Sequence, residues 1–211
     1  IDDGFFKQSA GEKYIEKQTD IPDHATAIRL VLKYLTDKEY GVISDISEIT
    51  AVGHRVVNGG EIFPESTLLD EEKINKIEKP EKKKLFGKKP KKDKKDEKIE
   101  ELTDFAPLHN PPAVTGMRAC VSVMGKSVPQ VAVFDTSFHQ TMPDVAGLYP
   151  LPKKYHEEYG IRRFGAHGTS HKFVANECAK YLGRDIKELK IITCHLGNGS
   201  SITAVDGGRS I

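Results

Sequence analysis

The stretch that most constrains the fold is KIITCHLGNGSSITAVDGGRSI, Lys190–Ile211. Two runs rich in β-forming residues flank Gly197-Asn198-Gly199. That pattern is a strong hairpin signal. Just upstream, SHKFVANECAKYL (Ser170–Leu182) reads as a helix closed by Gly183. Further back, VPQVAVFDTSFHQTMP holds a short apolar run, Val131–Phe134, that reads as a buried strand ending in Asp135. Strands alternating with helices, plus hairpins, predict the α/β class. Functional groups in such folds gather at the carboxyl ends of strands, which draws attention to Asp135.

The N-terminal half continues the pattern. Asp23 can cap a helix whose apolar face is Ile28, Val31, Leu32 and Leu35, with Gly41 just past its end. EITAVGHRVV reads as a short buried strand running into the turn NGGE, and a further helix is predicted to begin near Asp70. APLHNPP reads as a rigid loop, since each proline fixes φ and disfavours helix in the residue before it.

Charge is unevenly spread. The formal net charge is +1, yet KPEKKKLFGKKPKKDKKDEK (Lys79–Lys98) carries eleven lysines against four acids, a local excess of +7 that leaves the rest at −6. Such a block is expected to be a solvated, disordered loop, with nucleic-acid or anionic-surface binding as the alternative reading. Hydrophobic content of 37% and charged content of 30% fit a soluble globular protein. No apolar run approaches the roughly 20 residues of a membrane span, and no signal peptide opens the chain. Cys120, Cys178 and Cys194 show no CxxC spacing, so a reduced cytoplasmic setting is expected. Ile1 is not a methionine and Ile211 falls inside a predicted strand, which reads as a fragment.

Two motif look-alikes fail. MGKS (Met124–Ser127) has Cys120 where a phosphate-binding Walker loop needs glycine, and HEEYG (His156–Gly160) lacks the second histidine of a zinc hydrolase motif. In RRFGAHGTSHKF, His167 and His171 are four apart, but Gly168 is a poor helix former and no third metal ligand is recognisable. Phosphate handling suits the residues better. Glycine-rich HLGNGSS (His195–Ser201) lets backbone N–H groups approach an oxyanion, and Arg55, Asp135, His167 and His195 all stand in small-residue turns beside strands.

GHRVVNGGE, APLHNPP, VAVFDTSFHQTMP, YGIRRFGAHGTSHKFV and IITCHLGNGSS occur in the order seen in the acetate kinase family, which this chain resembles over nearly all its length outside the lysine block. The resemblance implies the acetate and sugar kinase/Hsc70/actin (ribonuclease H-like) fold. Its two lobes close over a nucleotide, and both are incomplete here. Residues 1–137 would be the first lobe, on the acyl-substrate side and truncated at its N-terminus, with the lysine-rich insertion at about 79–98. Residues 138–211 would begin the second, nucleotide-binding lobe.

The resemblance also assigns roles. Arg55 would bind the carboxylate and the phosphoryl group, and Asp135 would help place Mg²⁺ and the nucleophile. His167 would stabilise the phosphoryl group in flight, with His109 as an accessory. Val57 and Leu108 would wall the acyl pocket. His195, Leu196, Gly197, Asn198 and Gly199 would hold the nucleotide phosphates, and His171 would brace the loop. The activity implied is reversible phosphoryl transfer from ATP to acetate, giving acetyl phosphate and ADP. The fragment alone is expected to be inactive and the complete protein a homodimer, with no nucleic-acid or membrane partner. A propionate or butyrate kinase, or a truncated binding module, is the alternative. Many family members have histidine at Asn58 and phenylalanine at Ala166; the smaller alanine would leave room for a longer acid.

Overall fold

The computed structural model describes residues 4–78, 106 and 108–211, so the lysine block and what it was expected to form lie outside the described residues. The chain divides into two compact units, residues 1–54 with 112–131 and residues 55–111 with 132–211.

In the first unit, β1 (Phe5–Ala10) and β2 (Lys13–Gln18) form an antiparallel hairpin that turns at Gly11, whose φ is 60°. Helix α1 (His24–Leu35) begins as expected at Asp23, whose carboxylate accepts the Thr26 N–H at 2.6 Å. Its buried residues are Leu32 and Tyr34, while Val31, expected on the apolar face, is 40% exposed. The ring of Tyr34 stacks on Phe6 with centroids 4.7 Å apart, a tertiary contact that aliphatic periodicity does not register.

Three elements run through both units: α3 (Asn110–Met124) and the strands β3 (Val52–Val56) and β5 (Gln130–Phe134). The expected loop APLHNPP does not persist to its end, because Asn110, Pro111 and Pro112 form the first turn of α3. Proline is well suited there: the N–H it lacks would have no partner in a first turn, and its φ is already helical. The two strands advance together, Val52 N–H donating to the Pro129 carbonyl and Asp135 N–H to the Val56 carbonyl. The sheet order is β3-β5-β4, with β4 at Thr67–Leu68. Strand β3 was expected to be buried, but only Val56 is; Gly53 and Arg55 are exposed, as befits the end position in that order. Strand β5 buries Gln130, Ala132 and Phe134 on one face.

The second unit adds α2 (Glu71–Glu78), which starts at Asp70 as predicted: the Asp70 carboxylate accepts the Lys73 N–H at 2.8 Å. Ile74 and Ile77 are its buried residues. Phe63 stacks on Phe134 with centroids 4.9 Å apart. After the short helices α4 (Asp144–Gly147) and α5 (Lys154–Tyr159) comes α6 (Gly168–Leu182), two residues longer at its start than expected. It ends at Gly183 in the left-handed region (φ 63°), as the sequence predicts. The predicted hairpin is present as β6 (Lys190–Leu196) and β7 (Ser200–Asp206), with β8 (Arg209–Ser210) paired beyond β7. Leu196 pairs with Ser200, which leaves Gly197–Gly199 as the turn. Ala175 and Ala179 on α6 are buried, small enough for the helix to lie close on β6, where Thr193 is buried. Among the described residues no helix is long and apolar enough to cross a membrane.

Candidate functional site

Because β3 and β5 advance together, their carboxyl ends bring Arg55 and Asp135 side by side. Arg55 Nη2 donates to Asp135 Oδ2 at 2.6 Å and Nε to Oδ1 at 3.2 Å, a two-toothed pair. The partners differ in setting, since the Asp135 side chain is 1% exposed and that of Arg55 58%. The hydrogen bond to Asp135 raises the pKa of Arg55 above its already high value, so its charge is fixed. Thr169 Oγ1 donates to Asp135 Oδ1 at 2.9 Å from the first turn of α6. That turn reaches so near because residue 168 is glycine: a Cβ there would overlap the Asp135 carbonyl oxygen. Thr136, next along, accepts the Gly59 N–H at 3.1 Å, tying the end of β5 to the turn that follows β3.

His167 precedes α6 and has φ 53°, the one non-glycine residue with positive φ among those described. Left-handed backbone at such a residue marks a locally strained position of the kind that clusters at functional sites. Its ring stacks on that of His195, centroids 4.0 Å apart and planes at 19°. Its Nδ1 lies 2.8 Å from Ser201 Oγ, and Ser201 Oγ lies 2.7 Å from His171 Nε2. His171 is 1% exposed and its Nδ1 meets Thr193 Oγ1 at 2.8 Å. His195 Nδ1 meets Ser170 Oγ at 3.0 Å. His139, 3% exposed, joins Ser210 through Nδ1 and donates Nε2–H to the Ala166 carbonyl at 2.9 Å. Burial pushes the pKa of His139, His167 and His171 below the usual imidazole value, and the His195 charge lowers His167 further.

The expected site residues therefore fall into groups. Arg55 and Asp135 are in contact, and Thr169 links Asp135 to the helix that His167 starts. His167 in turn contacts His195 and the glycine turn, where a Cβ on Gly199 would stand 3.2 Å from its Nε2. Leu196 and Asn198, on the same hairpin, are exposed. His109 is exposed, and its N–H is bonded to the Ala106 carbonyl. Val57 is half-buried, and Leu108 is 81% exposed, so any apolar wall it makes is open to solvent. Asn110 donates its side-chain amide to the Asn58 carbonyl at 3.0 Å, fixing the start of α3 to the turn after β3.

Sequence reasoning passed over Thr169, Ser201, Thr193, Ser170 and His139. A signal did exist, in that Thr169, Ser170 and Ser201 lie within the histidine-bearing motifs, and hydroxyls beside histidines are natural partners for ring nitrogens. Among the described residues no group of three or more histidines, cysteines or acids is placed to hold a metal ion.

The profile of the acetokinase family matches residues 1–83 and 92–211. The chain is 52% identical over 204 residues to the acetate kinase of Caldanaerobacter subterraneus subsp. tengcongensis, covering 97% of this chain and 45% of that protein. It is 51% identical over 194 residues to that of Halothermothrix orenii, covering 92% and 43%. The chain thus spans about half the length of the curated relatives it matches. Among solved structures, the acetate kinase of Porphyromonas gingivalis superposes with a TM-score of 0.78 at 36% identity, over 98% of this chain and 46% of the other. A propionate kinase from Francisella tularensis gives 0.74 at 36% identity, over 96% and 45%. These neighbours have the acetate and sugar kinase/Hsc70/actin, ribonuclease H-like fold, of which the described α/β elements are a part. Motif order, family profile, sequence identity and superposition agree that this chain belongs to the acetokinase family.

Proposed function

We propose that the protein of which this chain forms part is an acetate kinase, transferring a phosphoryl group reversibly between ATP and acetate to give ADP and acetyl phosphate. The observation that carries the reading is the two-toothed Arg55–Asp135 pair at the joined ends of β3 and β5, with Thr169 and the strained His167 alongside. A carboxylate that attacks a phosphate brings two anions together, and the transition state spreads charge over the phosphoryl oxygens. Arg55 is suited to offset that charge, because it is a permanent cation, its fork can bond two oxygens, and more than half of its side chain is open to a ligand. His167 and the Gly197–Gly199 turn offer a ring edge and pliant backbone to phosphate oxygens, with His195 stacked behind. In this reading Val57 and Leu108 border the acid's alkyl group, and His109 is an accessory donor. Residues 1–137 serve the acid and residues 138–211 open the nucleotide-binding lobe.

A single carboxylate can serve Mg²⁺, which is commonly held by one or two carboxylates together with substrate phosphates and water. Asp135 is the carboxylate concerned, and both its oxygens are already engaged by Arg55 and Thr169. A bound Mg²⁺ would neutralise charge on the phosphate oxygens. Asp135 itself orients Arg55, and Thr169 orients Asp135. We further assign the protein to the cytoplasm and to a homodimer, with no nucleic-acid or membrane partner.

The test is a hydroxamate assay of acetyl phosphate formation by the complete protein with ATP, Mg²⁺ and acetate, propionate or butyrate. Turnover with acetate that Arg55→Ala abolishes is the expected result. No transfer to any of the acids would overturn the reading.

A further inference from the structure

His167 is held on both sides by the turn that follows β5. On its helix side, Gly168 lies against the Asp135 carbonyl and Thr169 Oγ1 donates to Asp135 Oδ1 at 2.9 Å. The His167 carbonyl itself accepts the His171 N–H at 3.0 Å, as the first bond of α6. On the other side stands His139, four residues after Asp135 and 3% exposed. Its Nε2 lies 2.9 Å from the Ala166 carbonyl oxygen. A carbonyl only accepts, so Nε2 carries a proton and donates, whether the ring is neutral or charged. At the back of the ring, Nδ1 lies 2.9 Å from Ser210 Oγ, and the Ser210 carbonyl accepts from Thr141 Oγ1 at 2.8 Å. The chain crosses the ring closely at Gly165, where φ is 80° and a Cβ would overlap the imidazole.

The Ala166 carbonyl shares one rigid peptide plane with the His167 N–H. Holding that carbonyl fixes one end of the N–Cα torsion of His167, and the anchor of α6 on Asp135 fixes the other. We infer that His139 is a positioning residue for His167: its hydrogen bond to the Ala166 carbonyl imposes the left-handed φ of 53° and so holds the His167 ring against His195 beside the Gly197–Gly199 turn. A residue with a Cβ resists that conformation, so without the clamp His167 would relax to negative φ. Rotation about N–Cα turns Cβ, and the ring it carries, relative to the loop before it. The loop absorbs little of the change, because the Arg163 N–H is bonded to the Gly147 carbonyl at 2.7 Å only three residues upstream. The consequence for phosphoryl transfer rests on the kinase reading; the clamp itself does not.

The experiment is proton–nitrogen NMR of the 211-residue chain above the ordinary histidine pKa, with His139→Gln assigning the His139 ring signals. The unaltered chain should show Nε2–H on His139 and, at His167, the short amide-to-Hα Overhauser contact of positive φ. An Nδ1–H pattern on His139 overturns the proposal, whether or not any variant folds. His139→Phe keeps a ring beneath Gly165 but has no proton to donate, so the His167 contact should weaken. His139→Gln loses the ring, yet its amide nitrogen reaches the position of Nε2 and should restore the contact. A packing role alone would favour the phenylalanine. In the complete protein, kcat should fall about tenfold in His139→Phe with KM for ATP and acetate within about twofold, and stay within about threefold in His139→Gln. An unmoved His167 in a folded His139→Phe, or an equal loss of kcat in both variants, overturns the proposal. If the complete protein transfers no phosphoryl group but the NMR results are as stated, the kinase reading falls and the clamp stands.

Discussion

Arg55 grips Asp135 with both arms of its guanidinium fork, at 2.6 and 3.2 Å, although the carboxylate is buried and the guanidinium open. The asymmetry means that the two partners should respond differently to mutation. Arg55→Ala strands a buried carboxylate that keeps only the Thr169 hydroxyl among these partners, which should cost about 1–3 kcal/mol by urea denaturation. Arg55→Lys should recover part of that stability, since it restores charge but not the fork. In the complete protein both substitutions should lower kcat by about a hundredfold or more, the scale for losing a preorganised contact to developing charge. Near-normal turnover of Arg55→Lys would show that the two-toothed geometry is not used.

The histidine cluster sets a pH dependence whose sign is fixed by its pKa shifts. His139, His167 and His171 are all held below the ordinary value of 6.5, chiefly by burial. The folded state therefore favours their neutral forms, and the unfolded chain binds protons more readily. The stability tied to this difference is complete above the unfolded pKa and is lost as pH falls through it towards the folded values. Tm should drop between about pH 7 and pH 5, and the drop should be shallower in His171→Gln. A Tm that rises on acidification through this window would contradict neutral rings for these histidines in the folded state.

What the sequence made legible was local. Asp23, Asp70, Gly183 and the Gly-Asn-Gly turn act within a few residues of themselves, and each marks the boundary it was expected to mark. The proline pair at 111–112 shows the limit of that reasoning, because the chemistry that stops a helix interior also opens a helix first turn. The hairpin of β1 and β2 went unread: its strands are mostly exposed and polar, so they lack the alternation that betrays a half-buried strand. At the site, Asp135 was legible as the end of an apolar run. Ser201 and Thr193 were not, because their partners lie 34 and 22 residues away and only the fold brings them together.

Residues 84–91 lie outside the match to the family profile and within the lysine block. The family profile matches the chain on both sides of them, and extra chain length in a connection costs little, about 0.6 kcal/mol per doubling. Deleting 84–91 from the complete protein should leave Tm within about 2 °C and kcat/KM within about twofold. The 211-residue chain alone should form no acetyl phosphate at a kinase rate, since it covers only 45% of the relative it matches. A hydroxamate assay reads both outcomes. Loss of activity on deletion would give the lysine block a role of its own.

Two glycines in helices test the packing argument against each other. Gly168 opens α6 where a Cβ would overlap the Asp135 carbonyl and approach the Phe138 side chain at 2.9 Å. Backbone cannot swing aside as a flexible side chain can, so Gly168→Ala must push the start of α6 away from the end of β5. That movement would stretch the Thr169–Asp135 bond and shift His167 with it. We expect a loss of about 2–4 kcal/mol in stability and, in the complete protein, a loss of activity comparable to that of Arg55→Ala. Gly116, in the middle of α3, has no atom of the described residues within 4 Å of its would-be Cβ beyond its own stretch of helix, and no positive φ. There the alanine only restricts the unfolded chain and improves helix propensity, so Gly116→Ala should stabilise by about 0.5–1 kcal/mol without touching activity. Parallel urea titrations of the two variants decide the point. Equal, small effects at both positions would mean that α6 is not wedged against Asp135, and that the site is held together from elsewhere.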